Sequence, residues 1–574
     1  MTEIKRLFDF PYHQLEHNPN DSALVTKYNG KWTPMSTKEY LDKANAVSRA
    51  LLRMGVKKGD KIALISSTNR TEWNIMDIGT LQIGVTNVPI YPTICAEDYE
   101  YVLNHSESIY CFVSDEEVLE KVNAIKANTQ LKEVYSFDEI EGCKHYSDLF
   151  ELGKDESNQN EVEALKASVK PVDLATIIYT SGTTGKPKGV MLSHWNITSN
   201  VLSSSPRVPL PESGETKVLS FLPICHIFER VLIYVYQYAG TSIYFAEALD
   251  KIGDNAKEVK PNLMSVVPRL LEKVFDKIML KGEELIGIKK ALFFWAVALG
   301  EKWEPYGANG AWYEFKLKIA NKLIFSKWRD ALGGELGTMV SGSAALQPRL
   351  ARVFGAAGMR VMEGYGLTET NAVGCGNFNE NYMAKPGSTG KASVPLVDLA
   401  ILDNDGNPRP QGEVDEVCIR SVANFLGYWN NEEATKAAFT DDQYFRTGDL
   451  GYLDEDGYLF IVDRNHQNPR FRNSRSSQKI RPGRVTVIGA RSELPQVVDL
   501  LRAIVDHGGV FARSPQDAIN QSSDAAKACD DDFSCINLVG FALFACNKSR
   551  RDDFVIKDEK HRREQHRQGD DQKQ

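Results

Sequence analysis

The first hundred residues carry two hydrophobic rhythms in turn. After Ser36 and Thr37, either of which would cap a helix, Ala44, Val47, Ala50 and Leu51 fall on one helical face. Asp60-Lys-Ile-Ala-Leu-Ile-Ser-Ser then predicts a strand, Trp73-Asn-Ile-Met-Asp-Ile-Gly-Thr-Leu-Gln a helix, and Val85-Thr-Asn-Val-Pro-Ile a further strand. Strands alternating with helices define an α/β fold with a parallel sheet. Leu174-Ala-Thr-Ile-Ile-Tyr179 reads as a buried strand, and the polar segment 150–170 before it predicts a loop. Gly337-Thr-Met-Val runs as a strand into the small-residue turn Ser341-Gly-Ser-Ala-Ala345, and Met359-Arg-Val-Met is another strand. Then the rhythm shortens. Leu402-Asp-Asn-Asp-Gly-Asn-Pro and Gln411-Gly-Glu-Val punctuate short strands as hairpin turns, and the stretch from Gly451 to Val462 reads as a hairpin. A smaller β-rich subdomain from about 385 to 460 is expected.

At 574 residues the chain exceeds one ordinary core, so two or more domains are expected. Its 42% apolar and 25% charged residues are those of a globular protein. The net charge of −9 excludes a general nucleic-acid binder, so any phosphate site must be local. Nine cysteines without CxxC or metal spacing suit a reducing cytoplasm. The N-terminus lacks the apolar core of a signal peptide, and no apolar run reaches the ~18 residues that would span a bilayer. A cytoplasmic location is expected.

The chemistry concentrates in Tyr179-Thr-Ser-Gly-Thr-Thr-Gly-Lys-Pro-Lys-Gly189. Three glycines let the backbone approach a ligand closely, one serine and three threonines supply hydroxyl donors, and two lysines supply charge. Successive N–H groups in such a turn form an anion-binding concavity. Pro187 follows Gly-Lys where a Walker-type loop needs Ser or Thr. The bland alternative is an exposed Gly-rich loop. The stretch closely resembles the AMP-binding signature of the acyl-adenylate-forming superfamily, and the whole pattern resembles its bacterial long-chain fatty-acid–CoA ligases. The resemblance implies that Thr180, Ser181, Gly182, Thr183, Thr184, Gly185 and Lys188 hold the β- and γ-phosphates of ATP.

A second cluster, Met362-Glu-Gly-Tyr-Gly-Leu-Thr-Glu-Thr370, delivers two glycines, a tyrosine, two threonines and a carboxylate to one turn. A carboxylate beside ATP suits Mg²⁺, which favours hard oxygen ligands; alone, the stretch is also an ordinary turn with an exposed Glu. It is similar to the family's second signature. That implies Glu369, with Thr184, at the magnesium, Tyr365 and Gly366 near adenine, and Thr368 on phosphate. By the same resemblance Gly342, Ser343 and Ala344 border the adenine, Asp449 takes the ribose hydroxyls, and Arg464 the ribose or phosphate. In Phe221-Leu-Pro-Ile-Cys-His-Ile-Phe-Glu-Arg230, His226 on spacing alone is a packed histidine; the resemblance places it near the acyl and thiol pockets. Cys225 is set aside, because the chemistry needs no covalent enzyme step.

Residues 289–333 interleave Phe293, Phe294, Trp295, Trp303, Tyr306, Trp312, Tyr313, Phe315, Phe325 and Trp328 with lysines. They read as a helical insert packed on the domain, or as a surface resting on a membrane. The resemblance adds that such an insert is typical of long-chain acyl-CoA synthetases.

The resemblance covers residues 1–464 and then ends. The family's glycine-rich hinge stretch and its closing Gly-Lys element have no counterpart in Asn465-His-Gln-Asn-Pro-Arg-Phe-Arg or beyond. Residues 1–464 hold 34 Lys and 15 Arg, while 465–574 hold 6 Lys and 13 Arg, a reversal no folding rule requires. The expectation is an adenylation domain over 1–463. Residues 464–574 would then be a frame-shifted or replaced tail, with a divergent small domain as the alternative. The function implied is ATP-dependent ligation of a long-chain fatty acid to coenzyme A through acyl-AMP, with ATP, Mg²⁺ and coenzyme A required. Rivals are an enzyme adenylating another acid, a nucleotide-binding relic, and a membrane-surface scaffold. The acyl length and oligomeric state stay open.

Overall fold

In the computed structural model, residues 3–180, 186–209, 215–372, 374–377, 384–392 and 397–464 are described. Contacts group Met1–Ser474 into one compact unit, and the described residues all belong to it.

The expected alternation is present. Ser36 caps the helix Thr37–Arg53 in a capping box with Glu39, and Ala44, Val47, Ala50 and Leu51 are buried along it. Lys61–Ile65 and Thr86–Ile90 are strands, with the helix Thr71–Leu81 between them. They belong to an eight-stranded sheet ordered Gly427–Tyr428, Lys188–Ser193, Leu174–Thr180, Thr86–Ile90, Lys61–Ile65, Ser108–Val113, Glu133–Ser136, Lys144–His145. From Leu174–Thr180 onward the pairings are parallel. The first two strands join antiparallel.

A nine-stranded sheet holds six parallel strands ordered Leu24–Tyr28, Ser242–Phe245, Lys217–Ser220, Leu263–Val266, Thr338–Ser341, Arg360–Tyr365. Antiparallel strands close both its ends. Val397–Leu402, Asp415–Ser421, Phe445–Leu453 and Leu459–Arg464 form a small antiparallel sheet, the β-rich subdomain. Segment 150–170 departs from the expected loop: Gln159–Ser168 is a helix. Only Val162 on it is buried, so its apolar stripe is too thin to stand out against the polar residues.

The helix Ile227–Tyr238 is buried along nearly its whole length, and two consecutive residues tie it to both large sheets. Glu229 accepts from the hydroxyls of Ser220 (2.5 Å) and Ser265 (2.6 Å) on the nine-stranded sheet. Arg230 donates to Thr176 (2.8 Å) on the eight-stranded sheet and to Asp77 (2.6 Å) on the helix packed against it.

Burial pushes the Glu229 carboxyl up to about 7, against the pull of its two serine donors. A carboxyl raised in the folded state favours folding while protonated, and that contribution falls as pH climbs from the ordinary carboxyl range through 7. Glu229→Gln removes this slope. Relative to the parent, the variant is expected to gain on the order of 3 kcal/mol between pH 5 and pH 8, read from denaturation midpoints at each pH.

Candidate active site

The polar loop joins two antiparallel strands: Tyr179 pairs with Gly189 and Thr180 with Lys188. Ser181, Gly182, Thr183, Thr184 and Gly185 lie outside the described residues. Gly189 is required by packing, since a Cβ there would stand 2.8 Å from Ile177 Cγ2. Beside the hairpin is a cavity of about 270 Å³ lined by Tyr101, His105, Lys186, Lys188, Tyr428 and Trp429. Lys186 Nζ sits 5.1 Å from the Tyr101 ring centre and Lys188 Nζ 4.9 Å from that of Tyr428. Burial lowers the His105 pKa, so the two ammonium groups carry the positive charge of this cavity. It suits a polyanion.

The second motif leaves the end of the nine-stranded sheet. Thr338–Ser341 and Arg360–Tyr365 are adjacent and parallel, with Ser341 opposite Glu363. The turn Gly342-Ser343-Ala344 therefore emerges beside Gly364-Tyr365-Gly366. Gly342 is close-packed, since a Cβ would meet the Phe228 ring at 3.1 Å, and Ser343 takes a left-handed φ of 69°. Tyr365 donates its hydroxyl to Asp449 Oδ2 at 2.7 Å. Burial, and then the Asp449 charge, raise the phenol well above its usual range, which keeps it a donor. Thr368 is buried at the turn.

Glu369 Oε1 accepts a hydrogen bond from the Tyr428 hydroxyl at 2.9 Å. Tyr428 belongs to Gly427–Tyr428, the strand paired with Lys188–Ser193. One tyrosine thus has Lys188 against its ring and Glu369 on its hydroxyl, which brings the two motifs together. Asn371, in the left-handed region at φ 55°, donates to the Asn196 carbonyl at 2.6 Å, and its own carbonyl accepts from Asn200. Both partners lie on the helix His194–Ser204 that follows the hairpin.

His226 caps the helix Ile227–Tyr238: its Nδ1 accepts from the Phe228 N–H at 3.2 Å. Burial lowers its pKa, so the ring is neutral with its proton on Nε2. The Cys225 thiol is pushed up to about 12 by burial, which suits the reading that set it aside. Arg464 pairs through its backbone with Asp449, and its side chain lies outside the described residues.

Two residues escaped the sequence reading. Tyr428 is one. Glu363, 7% exposed, is the other: burial pushes its carboxyl up to about 8, so it is neutral at pH 7, and its Oε1 has no hydrogen-bond partner among the described residues. It was visible as a second carboxylate in the Met362–Thr370 cluster, on the same strand face as Tyr365 by alternation.

Two large, mainly parallel sheets, with an acid-bearing turn held against the hairpin strands through Tyr428, define an α/β protein. The chain belongs to the AMP-binding enzyme family, whose model matches residues 12–429. It is 33% identical over 458 residues to fatty acyl-CoA synthetase A of Dictyostelium discoideum, covering 76% of this chain and 65% of that protein. It is 33% identical over 461 residues to long-chain-fatty-acid–CoA ligase FadD15 of Mycobacterium tuberculosis, covering 79% and 73%. The chain spans slightly less than two thirds of the first relative's length. Among solved structures, anthranilate CoA ligase AuaEII in complex with anthranoyl-AMP has a TM-score of 0.60 at 24% identity, covering 80% of this chain and 77% of that one. The N-terminal domain of FACL13 from Mycobacterium tuberculosis has a TM-score of 0.59 at 21% identity, covering 80% and 100%. These two likenesses are of fold.

Proposed function

We propose that the chain is an ATP-dependent long-chain fatty-acid:CoA ligase working through an acyl-adenylate. The observation that carries the reading is Tyr428, which ties Lys188 of the phosphate hairpin to Glu369 of the second motif. The names of the relatives supply the acid. A carboxylate oxygen of the fatty acid attacks the α-phosphorus of ATP and pyrophosphate leaves. The thiolate of coenzyme A then attacks the acyl carbonyl and AMP leaves.

Catalysis here is positioning and charge neutralisation. Lys188 and the hydroxyls of Thr180, Ser181, Thr183 and Thr184 take the phosphates. Asp449 accepts from the ribose, with Arg464 beside it, and Tyr365, Gly342, Ser343 and Ala344 enclose the base. Neutral His226 offers its Nε2–H to the acyl end. Among the described residues no group of three or more His, Cys, Asp and Glu could hold a metal ion. Mg²⁺ needs no such cage: one or two carboxylates plus substrate phosphates commonly hold it, and Glu369 fits that donor set. Bound there with Thr184, it would neutralise phosphate charge. Among the described residues no helix is long and apolar enough to cross a membrane. A long-chain acid partitions into bilayers, so the reading extends to peripheral membrane contact through 289–333.

Mass spectrometry of purified protein given palmitate, ATP, Mg²⁺ and coenzyme A is expected to show palmitoyl-AMP and palmitoyl-CoA. Neither product, with palmitate or any acid in a chain-length panel, would overturn the ligase reading.

The second reading is a nucleotide-binding protein that adenylates very slowly. It rests on the Lys-to-Arg reversal after 464 and on the missing closing lysine, and treats 464–574 as a replaced tail. An uninterrupted reading frame in independent isolates would remove the frame-shift explanation.

A further inference from the structure

The aromatic insert divides into two sets. Phe293, Tyr313, Phe325 and Trp328 are buried, as a packed helical insert requires. The rest of its apolar surface is concentrated elsewhere. Ala311–Ala320, the π-turn Asn321–Phe325 and Ser326–Asp330 follow one another as a single helical run. Along it Trp312 is 70% exposed, Phe315 53%, Ile319 38% and Leu323 43%. Steps of three, four and four residues put them in one stripe, opposite the buried Tyr313, Leu317 and Trp328. Trp312 and Phe315 stack at 5.5 Å in solvent.

The flanks of this stripe are basic. Residues 311–330 carry five basic side chains against two acidic ones, in a chain whose net charge is −9. Arg329 is turned inward onto Asn321 and the Ala357 carbonyl. Lys316, Lys318, Lys322 and Lys327 remain, and none has an acidic partner among the described residues. On the α-helical wheel of Ala311–Ala320, Lys316 borders one side of the stripe and Lys318 the other, and Lys322 and Lys327 add charge in and after the π-turn. An apolar row flanked by lysines is mismatched to water and to a neutral protein face. It matches the interface of a bilayer, where aromatic rings enter the acyl boundary and lysines meet anionic headgroups.

We infer that this face of the 311–330 helix docks the protein, parallel to the surface, on membranes containing anionic lipid. The long-chain reading supplies a reason for a membrane there. Vesicle binding requires no turnover, so either idea can fail without the other.

Flotation with phosphatidylcholine vesicles, with and without phosphatidylglycerol, tests it. The protein is expected to bind the anionic vesicles at least about tenfold better, and salt should weaken binding. The double variants Trp312→Ala/Phe315→Ala and Lys316→Glu/Lys322→Glu should each lose about tenfold or more of that binding. Their melting temperatures should match the parent's, because the replaced side chains are outside the core. Three results would overturn the inference: no binding of folded protein to anionic vesicles, undiminished binding in both variants, or self-association that the variants abolish without any vesicle binding.

Discussion

Glu369→Gln is expected to lower magnesium-dependent ATP–pyrophosphate exchange by about 10²–10³-fold, the usual cost of removing one group that stabilises charge in the transition state. The amide keeps the size of the side chain and an acceptor for the Tyr428 hydroxyl, but not the negative charge a cation needs. The magnesium concentration giving half-maximal exchange should rise with it. If exchange by this chain is too slow to follow, the same shift should appear in magnesium-dependent ATP binding. Tyr428→Phe separates the possibilities: it leaves a ring for Lys188 and removes only the hydroxyl on Glu369. A loss of about tenfold is expected there, the lower end for one hydrogen bond to a charged group. Equal losses in the two variants would mean that Glu369 acts only by holding Tyr428. Full exchange in the Gln variant would refute the metal role.

The largest effect on stability is expected from Arg230→Met. The guanidinium and Asp77 are both buried, and Asp77 also accepts from the Tyr234 hydroxyl. Removing one partner strands the other charge, and breaking such a pair costs about 3–5 kcal/mol. Urea unfolding should show a lower midpoint with an unchanged slope. Arg230→Met/Asp77→Asn should recover part of the loss, because the stranded charge is gone. A cost below about 1 kcal/mol would place this pair with exposed ion pairs and remove its role in joining the sheets.

Local signals in the chain were strong enough for much of the fold. The cap at Ser36, the apolar face of Thr37–Arg53, the strands Lys61–Ile65 and Thr86–Ile90 and the hairpins of the small sheet each sit within a short window. The Gln159–Ser168 helix was missed because one buried valine leaves almost no periodicity. The Arg230–Asp77 pair was missed for another reason: its partners are 153 residues apart, and no spacing rule reaches that far. Tyr428 combines both difficulties. It stands on a strand of two residues whose only reason to exist is pairing with Lys188–Ser193. Residue types named the two motifs, but the side chain that joins them is visible only once the sheet has closed.

The pairing of Thr180 with Lys188 also fixes the arc between them at seven residues. A slip of one place in either strand would turn its side chains over, buried Ile177 and Ile178 on one or buried Val190 on the other. For stability, as distinct from activity, substitutions within the arc should therefore be milder than an inserted or deleted codon that shifts the register.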